Sequence, residues 1–265
     1  MYVVAITRWA RPVDQEVVAL APLVGLAPYD LKLRLGGPLP AVFARERDTG
    51  RARELLAALR DRGHGAVACD LDRVPNSAEM TSPRSYCFEP EALLGHDPAW
   101  GERRMPYAEV VGLIHASAAT SEQTSSVTKQ RKFSMGRAAL TGGIAMRKTT
   151  TTDKRSQSED REQVLYIVRK GARDPWLLTE SRLRHQGLAD RVRPTSAENF
   201  GILIELLRER MPAALFDDRL RRRPRKANSL TVSGTSAHKV TEMSNASETD
   251  LAMHLIVVAH LTGQQ

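Results

Sequence analysis

Two cysteines in 265 residues, Cys69 and Cys87, are too few for a disulfide framework, and they form no Cys-x-x-Cys pair. Both read as reduced thiols of a cytoplasmic protein. Aromatic side chains make up only 5% of the chain, so its core must rest on Leu, Val, Ala and Ile. No apolar run approaches the roughly 20 residues that span a bilayer. The longest, Leu251 to Leu261, is interrupted by His254 and His260. The opening Met-Tyr-Val-Val-Ala-Ile-Thr-Arg-Trp carries no basic leader before its short apolar run, so no secretory signal is expected there. There is no Gly-x-Gly-x-x-Gly, no phosphate loop ending in Gly-Lys-Ser/Thr, no His-Glu-x-x-His and no Gly-x-Ser-x-Gly. These absences argue against the common nucleotide-, zinc- and serine-dependent enzyme classes.

What is present is 42% hydrophobic residues, enough for an ordinary core, and a net charge of +8. The charge is uneven. Residues 219–226 read Arg-Leu-Arg-Arg-Arg-Pro-Arg-Lys, six cations without an acid, so the rest of the chain is close to neutral. Arg221, Arg222, Arg223, Arg225 and Lys226 of this run are candidates for contact with nucleic acid or another acidic surface. No aromatic residue is interleaved to stack bases, and a solvated exit from a folded domain is the competing reading.

The first 72 residues read as a self-contained unit of three strands and three helices. Tyr2–Ile6 is a β-rich run. Val13 to Val24 carries Val13, Val17, Leu20, Ala21 and Val24 at helical spacing, with Gly25 placed to end it. Tyr29 to Leu35 is a short helix closed by Gly36-Gly37-Pro38, and Pro40 to Ala44 is a strand. Asp48 or Thr49 caps a third helix through Arg62, with Ala52, Leu55, Leu56 and Leu59 on one face. Gly63-His64-Gly65 breaks it before a last strand, Ala66 to Cys69. Neither site candidate here is persuasive. His64 reads as a turn residue, and Cys69-Asp70-Leu71-Asp72 would split its thiol and carboxylates between opposite strand faces.

The stretch Val17 to Leu26, then Tyr29-Asp30-Leu31-Lys32, Pro40, and Ala52 through Leu59-Arg60-x-x-Gly63-x-x-Ala66 resembles the C-terminal domain of the bacterial ribosomal stalk protein. The resemblance lies in a helix ending in Gly-Leu, a short helix opening on a Leu-Lys step, a Pro, then a helix and a Gly-Ala strand. The adaptor of the Clp protease shares that fold. The resemblance implies a small βααβαβ sandwich that works as an interaction module.

Residues 73–104 are read as a linker, from Pro75, Pro83, Pro90, Gly95, Pro98 and Gly101. A second module, 105–212, opens on Met105-Pro106-Tyr107-Ala108-Glu109-Val110. Its strand candidates are Gln130 to Met135, Leu140 to Met146, Gln163 to Val168 and Trp176 to Thr179. Thr195 or Ser196, with Glu198, caps a helix to about Arg210 that shows Phe200, Leu203, Ile204 and Leu207 on one face. Strands followed by one amphipathic helix, with that Pro-Tyr-x-Glu-Val entry, resemble a bacterial pleckstrin-homology-like domain. The resemblance implies an antiparallel β-barrel-like module. In such a module Lys129, Arg131 and Lys132 are candidates to grip an anion or a lipid head group, against the reading of a solvated strand edge. Residues 213–247 read as a flexible basic and polar tail. Residues 248–262 form a last helix with Leu251, Leu255, Val258 and Leu261 on one face. Such a stripe docks either on its own chain or on a second copy.

The expectation is therefore an α+β chain: a small sandwich, an antiparallel barrel-like module and a C-terminal helix. No catalytic residue, cofactor or metal site is assigned. The favoured function is a non-catalytic protein-interaction or scaffold protein with an unidentified protein partner. A peripheral phospholipid-binding protein and a ribosome- or RNA-associated factor are the alternatives.

Overall fold

In the computed structural model the run Tyr2–Arg8 is β1, the central strand of a three-stranded antiparallel sheet. Val3, Val4, Ala5 and Ile6 are all fully buried, which requires cover on both faces and explains a run without polar alternation. The structure describes residues 1–132, 148–171, 174–222, 229–235, 238–244 and 246–265. Along the chain come α1 (Val13–Leu20), a 3-10 turn (Ala21–Val24), α2 (Pro28–Leu35), β2 (Ala41–Glu46), α3 (Thr49–Asp61) and β3 (Gly65–Asp70). The sheet order is β2-β1-β3. Gly25 ends the first helical segment at φ +65°, and Leu26 N–H bonds back to the Ala21 carbonyl. Asp48 caps α3 by accepting from the Arg51 N–H at 2.6 Å. Val4 and Ile6 pack with Leu20, Leu31, Leu35, Phe43, Leu55 and Leu59 beneath α1–α3.

The stretch read as a linker instead carries β4 (Ser85–Phe88), β5 (Ala92–Asp97) and β6 (Gly101–Pro106), an antiparallel sheet in that order. Gly95 explains how this sheet sits so close to its neighbour. A Cβ there would lie 2.6 Å from the Trp176 ring.

Next come β7 (Val110–Lys132), β8 (Lys148–Arg169), β9 (Trp176–Thr179), α4 (Ser196–Arg210) and β10 (Leu215–Leu220). Thr195 and Glu198 form the full capping box of α4. The expected antiparallel barrel-like module is here an open mixed sheet, and among the described residues none of the three sheets closes. β8 and β9 pair antiparallel, but β10 pairs parallel to β7, Leu215 opposite Gly112. A strand that returns after a helical crossover joins in parallel. Helices cover both faces of this part of the sheet, so closure is not needed to bury it. Leu113, Leu165, Ile167 and Leu178 lie under Phe200, Leu203 and Leu207 of α4.

The segment read as a flexible tail supplies β10 and two further strands, β11 (Ser229–Thr235) and β12 (His238–Ser244). The last helix, α5, spans Ala246–Leu261. Two compact units result: Met1–Ala118, Glu162–Arg225 and Ala246–Gln265 form one, and Ala119–Arg161 with Lys226–Asn245 the other. Within the second, β11 pairs with β12, and β12 pairs antiparallel with β7 from Thr120 to Ser126. The strand candidate Leu140 to Met146 and the end of Gln130 to Met135 lie outside the described residues.

In the first unit α5 is an internal brace. Leu251, Leu255 and Ala259 pack on Val3, Ala5, Val67 and Cys69, the face of the first sheet opposite α1–α3. Ala252, Met253, Ile256 and Val257 pack on Ile114, Ala116, Val164 and Tyr166, the face of the β7–β10 sheet opposite α4. The layers run α1–α3, sheet, α5, sheet, α4. A helix apolar on nearly every side is buried on nearly every side.

Candidate functional site

One side of α5 floors a cleft of about 760 Å³. That size lies in the range of ligand pockets, roughly 300–1,000 Å³. Met253, His254, Val257, Val258 and Leu261 form the floor. Met253 and Val257 are buried, Val258 is half-buried, and Leu261 is 60% exposed at the mouth.

One wall is the chain leaving β3. Asp70 holds it in shape by accepting from the Asp72 N–H at 3.2 Å, which starts a 3-10 turn over Leu71–Arg73. Asn76 builds the next turn, its Oδ1 accepting from Ala78 N–H and its carbonyl from Glu79 N–H. Met80 then drops into the core under α5. This wall presents Asp70, Asp72, Arg73 and Glu79 to the cleft. The Asp70 carboxyl is held below its ordinary range, first by the Asp72 N–H and then by the Met1 amine.

The opposite wall is the start of β7 and the end of β8, with Val111, Val168 and Arg169. Gly171, at φ +71°, turns the chain there before Asp174. Arg169 Nη1 lies 3.5 Å from Glu109 Oε2 and Nη2 lies 3.3 Å from Asp174 Oδ1. Its Nε–H is buried and has no hydrogen-bond partner among the described residues. Burial lowers the pKa of His254, so its ring is neutral at physiological pH. The cleft thus joins an apolar floor to polar walls with four carboxylates and two guanidinium groups.

The residues singled out in the sequence are not gathered in one place. Leu251 and Leu255 are buried in the brace, whereas Val258 and Leu261 of the same stripe line the cleft. Lys129, Arg131 and Lys132 fall on β7, and their side chains lie outside the described part of the structure. Arg221 and Arg222 are exposed in the turn after β10, Arg221 Nη1 lying 3.6 Å from Asp218 Oδ2. Arg223, Arg225 and Lys226 lie outside the described residues.

His64 is more than a turn residue. Its ring is fully buried, its Nδ1 accepts from Ala10 N–H at 3.1 Å, and its Nε2 lies 3.3 Å from Glu16 Oε2. With Nδ1 occupied as an acceptor, the proton sits on Nε2 and donates to Glu16. Arg62 Nε donates to the same oxygen at 2.6 Å. This cluster ties α1 to the end of α3. Among the described residues no group of three His, Cys, Asp or Glu is arranged to hold a metal. No described helix is long and apolar enough to cross a membrane.

The cleft had one signal in the sequence. Leu251 to Leu261 is apolar all round rather than on one stripe, and such a helix needs more than one covered face. The polar walls had none, because Asp72, Glu79 and Arg169 meet only through the tertiary fold. Compared with protein-family models, with curated proteins and with solved structures, the chain matches none of them.

Proposed function

We propose that this chain is a non-catalytic interaction protein of the cytoplasm, and that a protein partner engages it at the cleft over α5. The observation that carries this reading is the floor of that cleft. An apolar helix that elsewhere braces two sheets emerges with Val258 half-buried and Leu261 60% exposed. An open apolar floor with polar walls is the usual make-up of a binding surface. The finer family readings, a stalk-domain-like sandwich for residues 1–72 and a pleckstrin-homology-like origin for residues 105–212, belong with this proposal. Both families include interaction modules.

A second surface has its own support. Of six large hydrophobic residues exposed among the described residues, Val18, Tyr29 and Leu33 lie on α1 and α2. Lys32 and Asp14 join the two helices across that side at 2.8 Å. The test separates the surfaces. The intact protein, immobilised, is compared with Leu261→Asp and with Val18→Asp for proteins captured from the host's extract. Loss of the same captured protein in Leu261→Asp alone supports the cleft. Loss in Val18→Asp alone moves the interaction to α1–α2 and overturns the cleft reading.

A further inference from the structure

We propose that Gly263, Gln264 and Gln265 form a latch. They clip the last turns of α5 onto the end of β1 and the start of β3, and their release lets that end of the helix peel while its other end stays fixed. The latch acts on α5 itself, whether or not the cleft takes a partner.

The helix ends so that its chain turns back over the first sheet. Gly263 stops it at φ +65°. The Gly263 N–H bonds to the His260 carbonyl at 3.2 Å and the Gln264 N–H to the Ala259 carbonyl at 2.8 Å. Polar groups of β1 and β3 receive the next two residues. The Thr7 hydroxyl donates to the Gln264 carbonyl, Arg8 Nε donates to the Gln265 main-chain oxygen at 2.9 Å, and the Ala66 N–H donates to Gln264 Oε1 at 3.5 Å. The Gln265 side-chain amide donates in turn to His260 Nδ1 at 2.7 Å. Gly65 makes room for this seat. Its φ is not left-handed, but a Cβ there would lie 2.8 Å from the Gln264 carbonyl oxygen and 2.9 Å from Arg8 Cβ.

The two ends of α5 are therefore held by different means. At its first turns the buried Asp250 carboxylate accepts from the Tyr166 hydroxyl and the Ser77 N–H. At its last turns the latch bonds lie nearer the surface, and the one from Arg8 to Gln265 is exposed. Groups at a surface exchange a protein partner for water at little net cost, whereas a buried pair does not. Opening then starts from the latched end. Val258 and Leu261 sit on those turns, so release also moves the floor of the cleft.

Amide hydrogen exchange of the full-length protein, followed by mass spectrometry, tests the latch. Thr7→Val with Arg8→Ala removes its donors, Gly65→Ala fills its seat, and deletion of Gln264 and Gln265 removes the segment. Each variant should speed exchange from Ile256 to Thr262 about tenfold or more, and leave Asp250 to His254 within about twofold of the wild type. The denaturation midpoint should move little. If Gly65→Ala fails to fold, the other two variants carry the test. Unchanged exchange from Ile256 to Thr262 in the deletion variant overturns the proposal. So does an equal acceleration along the whole helix, which would make these bonds part of the global fold and not a latch.

Discussion

The Tyr166 hydroxyl of β8 donates to the Asp250 carboxylate of α5 at 3.0 Å, and both residues are buried. The second Asp250 oxygen accepts from the Ser77 N–H at 2.8 Å. One carboxylate thus fastens the brace helix to a strand and to the connection that forms the cleft wall. Tyr166→Phe removes one bond and should cost about 1 kcal/mol. Asp250→Ala leaves the buried Tyr166 hydroxyl and the half-buried Ser77 N–H unpaired and should cost about 2–4 kcal/mol. Chemical denaturation of the three proteins checks the order. Equal stabilities would show that α5 is held by apolar contact alone.

The brace also fixes what the first module needs. Val3, Ala5, Val67 and Cys69 form a sheet face covered by Leu251, Leu255 and Ala259. A fragment of residues 1–72 keeps the α1–α3 side intact but exposes that second face. It should therefore bind a hydrophobic dye and self-associate, and a peptide of residues 246–265 added in trans should suppress both. A monomeric, dye-silent fragment would show that the face tolerates water.

These contacts show which parts of the chain are readable from sequence. Gly25, Asp48 and the Thr195–Glu198 pair act within a few residues of themselves, so their local chemistry announces them. In sequence, strands β4 to β6 resemble a linker, because their prolines and glycines outweigh short apolar runs. Gly95 is there for the Trp176 ring, a neighbour 81 positions away that no local pattern reveals. The parallel pairing of β10 with β7 is likewise invisible, since Leu215–Leu220 has the same composition in either orientation. The helix at 246–261 is legible, but the stripe of Leu251, Leu255, Val258 and Leu261 is only half of its apolar surface. Ala252, Met253, Ile256 and Val257 are the other half.

Acid should weaken this fold, and the direction follows from the histidines. Burial holds His115, His185 and His254 below the usual 6.5. As pH falls through 6.5 the unfolded chain takes up protons that the folded chain resists, so stability falls with pH in that window. Arg62, by its hydrogen bond, holds Glu16 below its usual 4.5, which adds a further loss at lower pH. Asp250 runs the other way. Burial holds it above 3.8, so the folded chain protonates first and stability gains as pH falls through that raised value. The denaturation midpoint should drop between about pH 7.5 and pH 5.5, and His115→Gln should flatten the drop. A midpoint that is level across that range, in which the histidine effect precedes the carboxylates, would contradict the assignment.

The Glu16 cluster makes a separate prediction, because it ties α1 to the end of α3. Glu16→Gln keeps the volume but weakens the bonds to Arg62 and His64, and should cost about 1–3 kcal/mol. His64→Ala should lose packing against the Trp9 ring, whose centroid is 5.1 Å away. Both variants, once folded, should bind the cleft ligand as the wild type does, because the cleft lining includes none of these residues. Loss of ligand binding at unchanged stability would show that the cluster belongs to a site after all.

Cys69 offers a direct report on the docking of α5. The residue is buried among Val3, Ala5, Val67, Leu251 and Leu255. Burial, helped by Asp70, pushes its thiol up to about 11. A thiol so protonated and so covered reacts slowly with a disulfide reagent. Cys87 is exposed and serves as the internal reference. Native protein should therefore release one equivalent of chromophore quickly and a second only on unfolding. Leu255→Asp places a charge where Leu255 is 1% exposed, directly in the contact between α5 and the first sheet. The helix should lift, and Cys69 should become reactive while the α1–α3 side of the module stays folded. Truncating the same residue, Leu255→Ala, should cost about 2–5 kcal/mol and raise the Cys69 rate by less. If Cys69 reacts as fast as Cys87 in the wild type, α5 does not cover that face in solution.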